Sequence, residues 1–179
     1  GANVSGSPVT GTTASGTPMS RNISITADGV VTLTVYDGVG NTNSAAYSVV
    51  YDTSGPAIDG DSLTDADTGI SLRTDGPATL TFTATDGAGL DSIKSYEITG
   101  SNVTESPVSG IVTSGTPVSE NLTITANGNV TLTTYDRLGN SRITTYSVVY
   151  DTEGPAISSD SLSDSSTGKN LWTNGPATL

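Results

Sequence analysis

The sequence predicts an all-β protein made of repeated two-sheet units, and three observations carry that expectation. Apolar residues alternate with Thr in runs such as "ATLTFTAT" (78–85), the period-two pattern of a strand buried on one face. No segment carries an apolar stripe at helical spacing, so helices should be nearly absent. Residues 1–80 align without a gap with 100–179, and 49 of the 80 pairs are identical.

A period of 99 residues exceeds the roughly 20–50 residues of a solenoid unit and suits one sandwich domain. The boundaries fall at Asp52 and Asp151. Each follows the strand-like "YSVVY" and precedes Gly-Pro, where Pro removes a ladder donor and Gly permits a bend. On that cut, 1–51 is the C-terminal part of one repeat, 52–150 is a complete repeat and 151–179 is the N-terminal part of the next. The chain then reads as a window on a longer array.

Within the complete repeat, "DTSGPAIDGDSLTDAD" (52–67) reads as an acidic loop, followed by a short strand near 70–73. The run 78–85 places Ala78, Leu80, Phe82 and Ala84 on one face and four Thr on the other. "SIKSYEI" (92–98) is a weaker strand, and a short one lies near 108–113. "NLTITANGNVTLTTY" (121–135) reads as a hairpin turning at Asn127-Gly128, with Asp28-Gly29 doing the same earlier. After the loop "YDRLGN", the run "ITTYSVVY" (143–150) closes the unit. About seven antiparallel strands per repeat imply a two-sheet sandwich.

The segments "VTLTVYDGVGNTNSAAYSVVYDTSGP" and "VTLTTYDRLGNSRITTYSVVYDTEGP" resemble the closing half of the bacterial immunoglobulin-like repeats of large prokaryotic cell-surface proteins and adhesins. The shared pattern is a Thr/Val strand, an Asp-x-x-Gly-Asn loop, a second strand and an Asp-Thr-x-x-Pro junction. It covers 26 residues of each repeat, and 52–100 matches less well. The resemblance implies tandem immunoglobulin-like β-sandwich domains in an extracellular, cell-surface setting. Such a segment would be the stalk of an adhesin, a surface layer or a filament, with neighbouring repeats or copies of itself as partners. Some arrays of this kind take calcium at their junctions.

Composition narrows the partners. The formal charge is −12, and the six basic residues are scattered singly. No basic stripe exists to neutralise a phosphate backbone, so nucleic acid is not an expected partner, nor is an anionic membrane face. No run of 18 apolar residues would span a bilayer. Cys and His are absent, which removes disulfides, thiolate metal sites and the usual base for a Ser nucleophile. The segment is therefore expected to be non-enzymatic. Low Lys with abundant Thr, Ser, Asp and Gly favours a surface protein.

Calcium, which takes six to eight oxygens, is the candidate cofactor. Its candidate ligands are Asp52, Asp61 and Asp65 with their counterparts Asp151, Asp160 and Asp164, supplemented by Asp86 or Asp136. Asp59 and Asp67 become Ser158 and Ser166 in the next copy, so solvated loop acids are the plainer reading. The Asp of each Asp-x-x-Gly loop is expected to cap its own turn. Asn3, Asn22, Asn102 and Asn121 each begin an Asn-x-Ser/Thr triplet, the acceptor pattern for N-glycosylation; a chain with roughly a third Ser and Thr produces that many by chance.

Two alternatives to a purely structural role follow. Trp172 stands where the earlier copy has Arg73, so an exposed patch there could engage glycans, a partner protein or a host-cell surface. Residues 1–51 and 151–179 together supply 80 of a repeat's 99 residues, so a filament subunit could assemble by strand exchange between repeats.

Overall fold

A computed structural model describes residues 1–87, 93–157, 163–165 and 176–178. Among the described residues every regular element is a strand. Two belong to the head segment, β1 (Gly29–Tyr36) and β2 (Thr42–Val49). The central repeat contributes β3 (Ala57–Asp65), β4 (Arg73–Thr74), β5 (Pro77–Thr85) and β6 (Ile93–Thr99). It continues with β7 (Val108–Gly110), β8 (Pro117–Thr123), β9 (Gly128–Asp136) and β10 (Ser141–Tyr150). The tail segment adds β11 (Ser163–Asp164) and β12 (Ala177–Thr178).

The central strands form a three-stranded sheet, β3-β5-β8, and a five-stranded sheet, β4-β10-β9-β6-β7. The alternation in β5 decides which side turns inward. Ala78, Leu80, Phe82 and Ala84 are buried while the intervening Thr residues stay half-exposed. From the other sheet come Tyr96 and Ile98, Val130 and Leu132, and Tyr146 and Val148, and all join one apolar core. The Phe82 and Tyr96 rings meet edge-on across it, with centroids 5.3 Å apart and planes at 73°, the arrangement that sets a positive ring edge against a negative face. The architecture is all-β and sandwich-like.

Two expectations are overturned. The acidic stretch after Asp52 is not a loop throughout: 57–65 is β3, paired with β5 from Ala57↔Thr85 to Asp65↔Ala78. Its alternation was hidden by a register shift between Asp59 and Ser62, where Gly60 adopts φ 60°, a conformation that favours glycine. Nor is 121–135 a hairpin. β8 pairs with β5 and β9 with β6 and β10, so Asn127-Gly128 carries the chain from one sheet to the other. Tertiary contacts explain the choice. Asn127 Oδ1 accepts the Tyr150 N–H at 2.7 Å, and a Cβ on Gly128 would lie 2.9 Å from Asn102 Cγ. The residue pair seats the end of β10 over a buried asparagine instead of making a tight turn.

The head segment shows what the core requires. β1 and β2 pair from Gly29↔Val49 to Tyr36↔Thr42, the register of Gly128↔Val148 to Tyr135↔Ser141 in β9 and β10. Yet 18–24, the counterpart of β8, is not a strand. Among the described residues β8 has one neighbour, β5, and the head holds no equivalent of β5. Without a ladder partner the backbone gains nothing from extension. The same apolar positions are therefore open in one copy and closed in the other. Leu33 is 49 % exposed and Tyr47 56 %, against 0 % for Leu132 and 8 % for Tyr146.

The pair Leu33 and Leu132 tests where the core sits. Leu132→Ala should lower stability by about 2–5 kcal/mol, as large-to-small changes in a packed core do. Leu33→Ala should stay within about 0.5 kcal/mol, as exposed substitutions do. Urea unfolding of dilute protein, followed by circular dichroism, makes the comparison; equal losses would contradict the placement of the core.

Candidate functional site

The Asp-x-x-Gly-Asn loop is built by its aspartate. Asp136 ends β9, fully buried, and its Oδ1 accepts the N–H groups of Leu138 and Asn140, each at 2.8 Å. Its Oδ2 accepts from Asn140 Nδ2 at 2.8 Å. Asp37 repeats the arrangement, taking Val39 N–H at 3.0 Å, Asn41 N–H at 2.8 Å and Asn41 Nδ2 at 2.6 Å. Those bonds, the Asn41 side chain first, hold the Asp37 carboxyl below its ordinary range. Each loop caps itself, as its residue pattern implies.

The same asparagine ties the loop to the start of the repeat. Asn140 Nδ2 also donates to the Asp52 carbonyl at 3.2 Å. Asp52 turns its own segment, accepting the Ser54 N–H at 2.9 Å. Gly55 then passes so close to β10 that a Cβ there would collide with the Ser141 carbonyl. This approach is why "DTSGP" needs its glycine. The counterpart Asp151 accepts the Glu153 N–H at 3.1 Å and pairs with Arg73 at 3.5 Å, both groups being exposed.

Asp52, Asp86 and Asp136 each bring one carboxylate oxygen within 4.8 Å of the others. Such a set offers three hard ligands to a divalent cation, which would take its remaining oxygens from backbone or water. Of the acids expected to bind calcium, Asp52 alone lies in this cluster, and the supplementary candidates Asp86 and Asp136 complete it. Asp61 is elsewhere, accepting the Tyr146 hydroxyl at 2.6 Å. Asp65 is buried and clasps the β3–β4 turn through Thr68 N–H and hydroxyl, both at 2.7 Å, and the Thr74 hydroxyl at 2.9 Å. Asp160 and Trp172 lie outside the described residues, and for Asp164 only the strand position is described.

The asparagine triplets divide by burial. Asn3 and Asn102 are 6 % and 2 % exposed, and Asn102 Nδ2 donates to the Ala126 carbonyl at 3.3 Å. Asn22 and Asn121 are exposed. Sequence reasoning missed the tyrosine–carboxylate pairs altogether. Besides Tyr146–Asp61, the Tyr96 hydroxyl donates to the Glu120 carboxylate from the opposite sheet. No spacing rule reaches partners 85 or 24 residues apart. Burial first, and then Glu120, push the Tyr96 hydroxyl up to about 12; burial and Asp61 raise Tyr146 as well.

The chain matches no family model, and no curated protein matches it. Among the described residues no helix is long and apolar enough to cross a membrane.

These groups set the pH limits of the fold. The Thr68 hydroxyl, the Thr68 N–H and the Thr74 hydroxyl together lower Asp65 from 3.8 to about 2. A depressed acid contributes stability above its unfolded value and loses it as pH falls between the two. Acid unfolding should therefore steepen from pH 3.8 towards about 2, and Asp65→Asn should flatten it. A raised tyrosine stabilises fully below its unfolded value and loses that contribution on going higher. Stability should then fall from pH 10.0 towards about 12, and Tyr96→Phe should remove part of that slope. Melting temperatures across both pH ranges check the two signs.

Proposed function

We propose that the chain is a non-catalytic, load-bearing segment of tandem immunoglobulin-like β-sandwiches in an extracellular surface protein. Its work is to hold other modules at a distance. The observation that carries the reading is the return of strand pairing with the sequence period. β1–β2 repeats the register of β9–β10, and β11–β12, with Ser163↔Thr178 and Asp164↔Ala177, repeats Thr64↔Thr79 and Asp65↔Ala78 of β3–β5. Units that recur in this way make contact chiefly with neighbours and extend in one direction.

The ends of the central repeat suit such a load. β10 pairs in parallel with β4 through Val149↔Arg73 and Tyr150↔Thr74. The Val149 and Asp151 N–H groups extend that ladder to the Leu72 and Thr74 carbonyls, both at 3.0 Å. Tension leaving along β10 must shear these bonds together. At the other end, the Asn140–Asp52 bond and the close approach of Gly55 hold the entering segment 52–55 against β10. The acidic surface keeps neighbouring chains apart and soluble.

Pulling the chain from its two ends should unfold 52–150 in one discrete event. The extension gained should approach the extended length of its 99 residues, about 330–350 Å before the folded length is subtracted. Gradual yielding with no discrete rupture would sink the load-bearing reading.

A further inference from the structure

The chain holds two Asn-Gly pairs, Asn127-Gly128 and Asn174-Gly175, and 99 residues before each stands an Asp-Gly pair, Asp28-Gly29 and Asp75-Gly76. The first of these positions is described in both forms. Asn127 lies in a bend just ahead of β9 and is exposed to water, and its Oδ1 accepts the Tyr150 N–H at 2.7 Å. Asp28 lies in a bend just ahead of β1 and is exposed as well, and its Oδ1 accepts the Tyr51 N–H at 2.6 Å. One backbone anchor is thus made by an amide in one copy and by a carboxylate in the other. The anchor uses an oxygen that both side chains own, so it does not depend on the amide nitrogen.

The fold also fixes the residue that follows. A Cβ on Gly128 would lie 2.9 Å from Asn102 Cγ, and Asn102 is buried, with its Nδ2 donating to the Ala126 carbonyl at 3.3 Å. Position 128 therefore stays glycine. Glycine is the neighbour that least obstructs attack of its own backbone nitrogen on the preceding side-chain amide, because it has no Cβ to crowd the approach. That attack is an acyl transfer, and its tetrahedral intermediate carries negative charge on Oδ1. The Tyr150 N–H already points at that atom, as the donor of an oxyanion hole does.

We propose that Asn127 deamidates spontaneously in the folded protein and becomes the aspartate that the chain already carries at position 28. The Gly128 nitrogen gives its proton to solvent and forms a bond to Asn127 Cγ. The Cγ–Nδ2 bond then breaks, Nδ2 takes a proton from water and leaves as ammonia, and a succinimide ring remains. Water opens that ring at either carbonyl. Opening at Cγ restores the ordinary backbone and leaves aspartate; opening at the main-chain carbonyl leaves isoaspartate, with the backbone running through Cγ. The aspartate keeps the Tyr150 bond and strengthens it, as an ionised acceptor does. The isoaspartate adds a backbone atom between 127 and 128 and displaces Gly128 from its place against Asn102. This inference needs only one corner of the repeat and is independent of the load-bearing reading.

Ageing the folded chain in warm, mildly alkaline buffer tests it, with peptide mapping by mass spectrometry to read each asparagine separately. Asn129 is also exposed but is followed by Val130. Asn127 should convert about tenfold faster than Asn129, a barrier lower by about 1.4 kcal/mol. Asn127→Asp should fold and melt no lower than the fresh wild-type chain, since the Tyr150 anchor survives in it. An Asn127 that changes only after urea has unfolded the chain would overturn the proposal. So would conversion no faster than that of Asn129, or an Asn127→Asp chain that melts below the fresh protein.

Discussion

β5 lies between β3 and β8, and its ladder with β8 joins residues from opposite halves of the repeat. That pairing places Leu80 and Phe82 in one core with Val130 and Leu132, and among the described residues it gives β8 its one sheet neighbour. Where the pairing is made, backbone extension and apolar burial arrive together. Where it is missing, in the head, the equivalent of β8 is irregular and the equivalents of the core residues face outward. Secondary structure here is thus a consequence of tertiary pairing, as expected where β preference reflects packing more than the residue alone.

A chain with a charge of −12 must place many carboxylates, and this one uses several as internal acceptors. Asp136 and Asp37 organise loops, Asp65 clasps a turn, and Asp61 and Glu120 receive tyrosine hydroxyls. Each bond to an ionised acceptor is stronger than a neutral one. The tyrosine pairs also fix one sheet against the other, since Asp61 and Tyr146, like Glu120 and Tyr96, sit on different sheets. Acidity that looks like a solvated surface in composition is partly a framework.

The legible parts of the sequence were those with an unbroken local period. β5 shows its inward face in four alternate residues, and β6, β9 and β10 follow similar runs. β3 escaped because a single bulge at Asp59–Ser62 breaks the alternation and its acids imitate a loop. Asn127-Gly128 misled for the opposite reason: its local turn preference is strong, but Tyr150 and Asn102 claim the two residues for a crossing between sheets. At the candidate site, the self-capping of Asp37 and Asp136 was readable from Asp-x-x-Gly. The meeting of Asp52 with Asp86 and Asp136 depends on how the ends of β5 and β9 come together with the segment before β3, and no local pattern encodes that.

The order of the strands along the chain has a further consequence. A chain delivered from its N-terminus presents β3, β4 and β5 before any residue of β8, β9 or β10 exists to receive them. β4 waits longest, because its partner is the last strand of the unit. Closure over such sequence distances is slow compared with local pairing. During synthesis β3 and β5 therefore pass through an interval as a bare apolar hairpin, before β8, β9 and β10 exist to cover it.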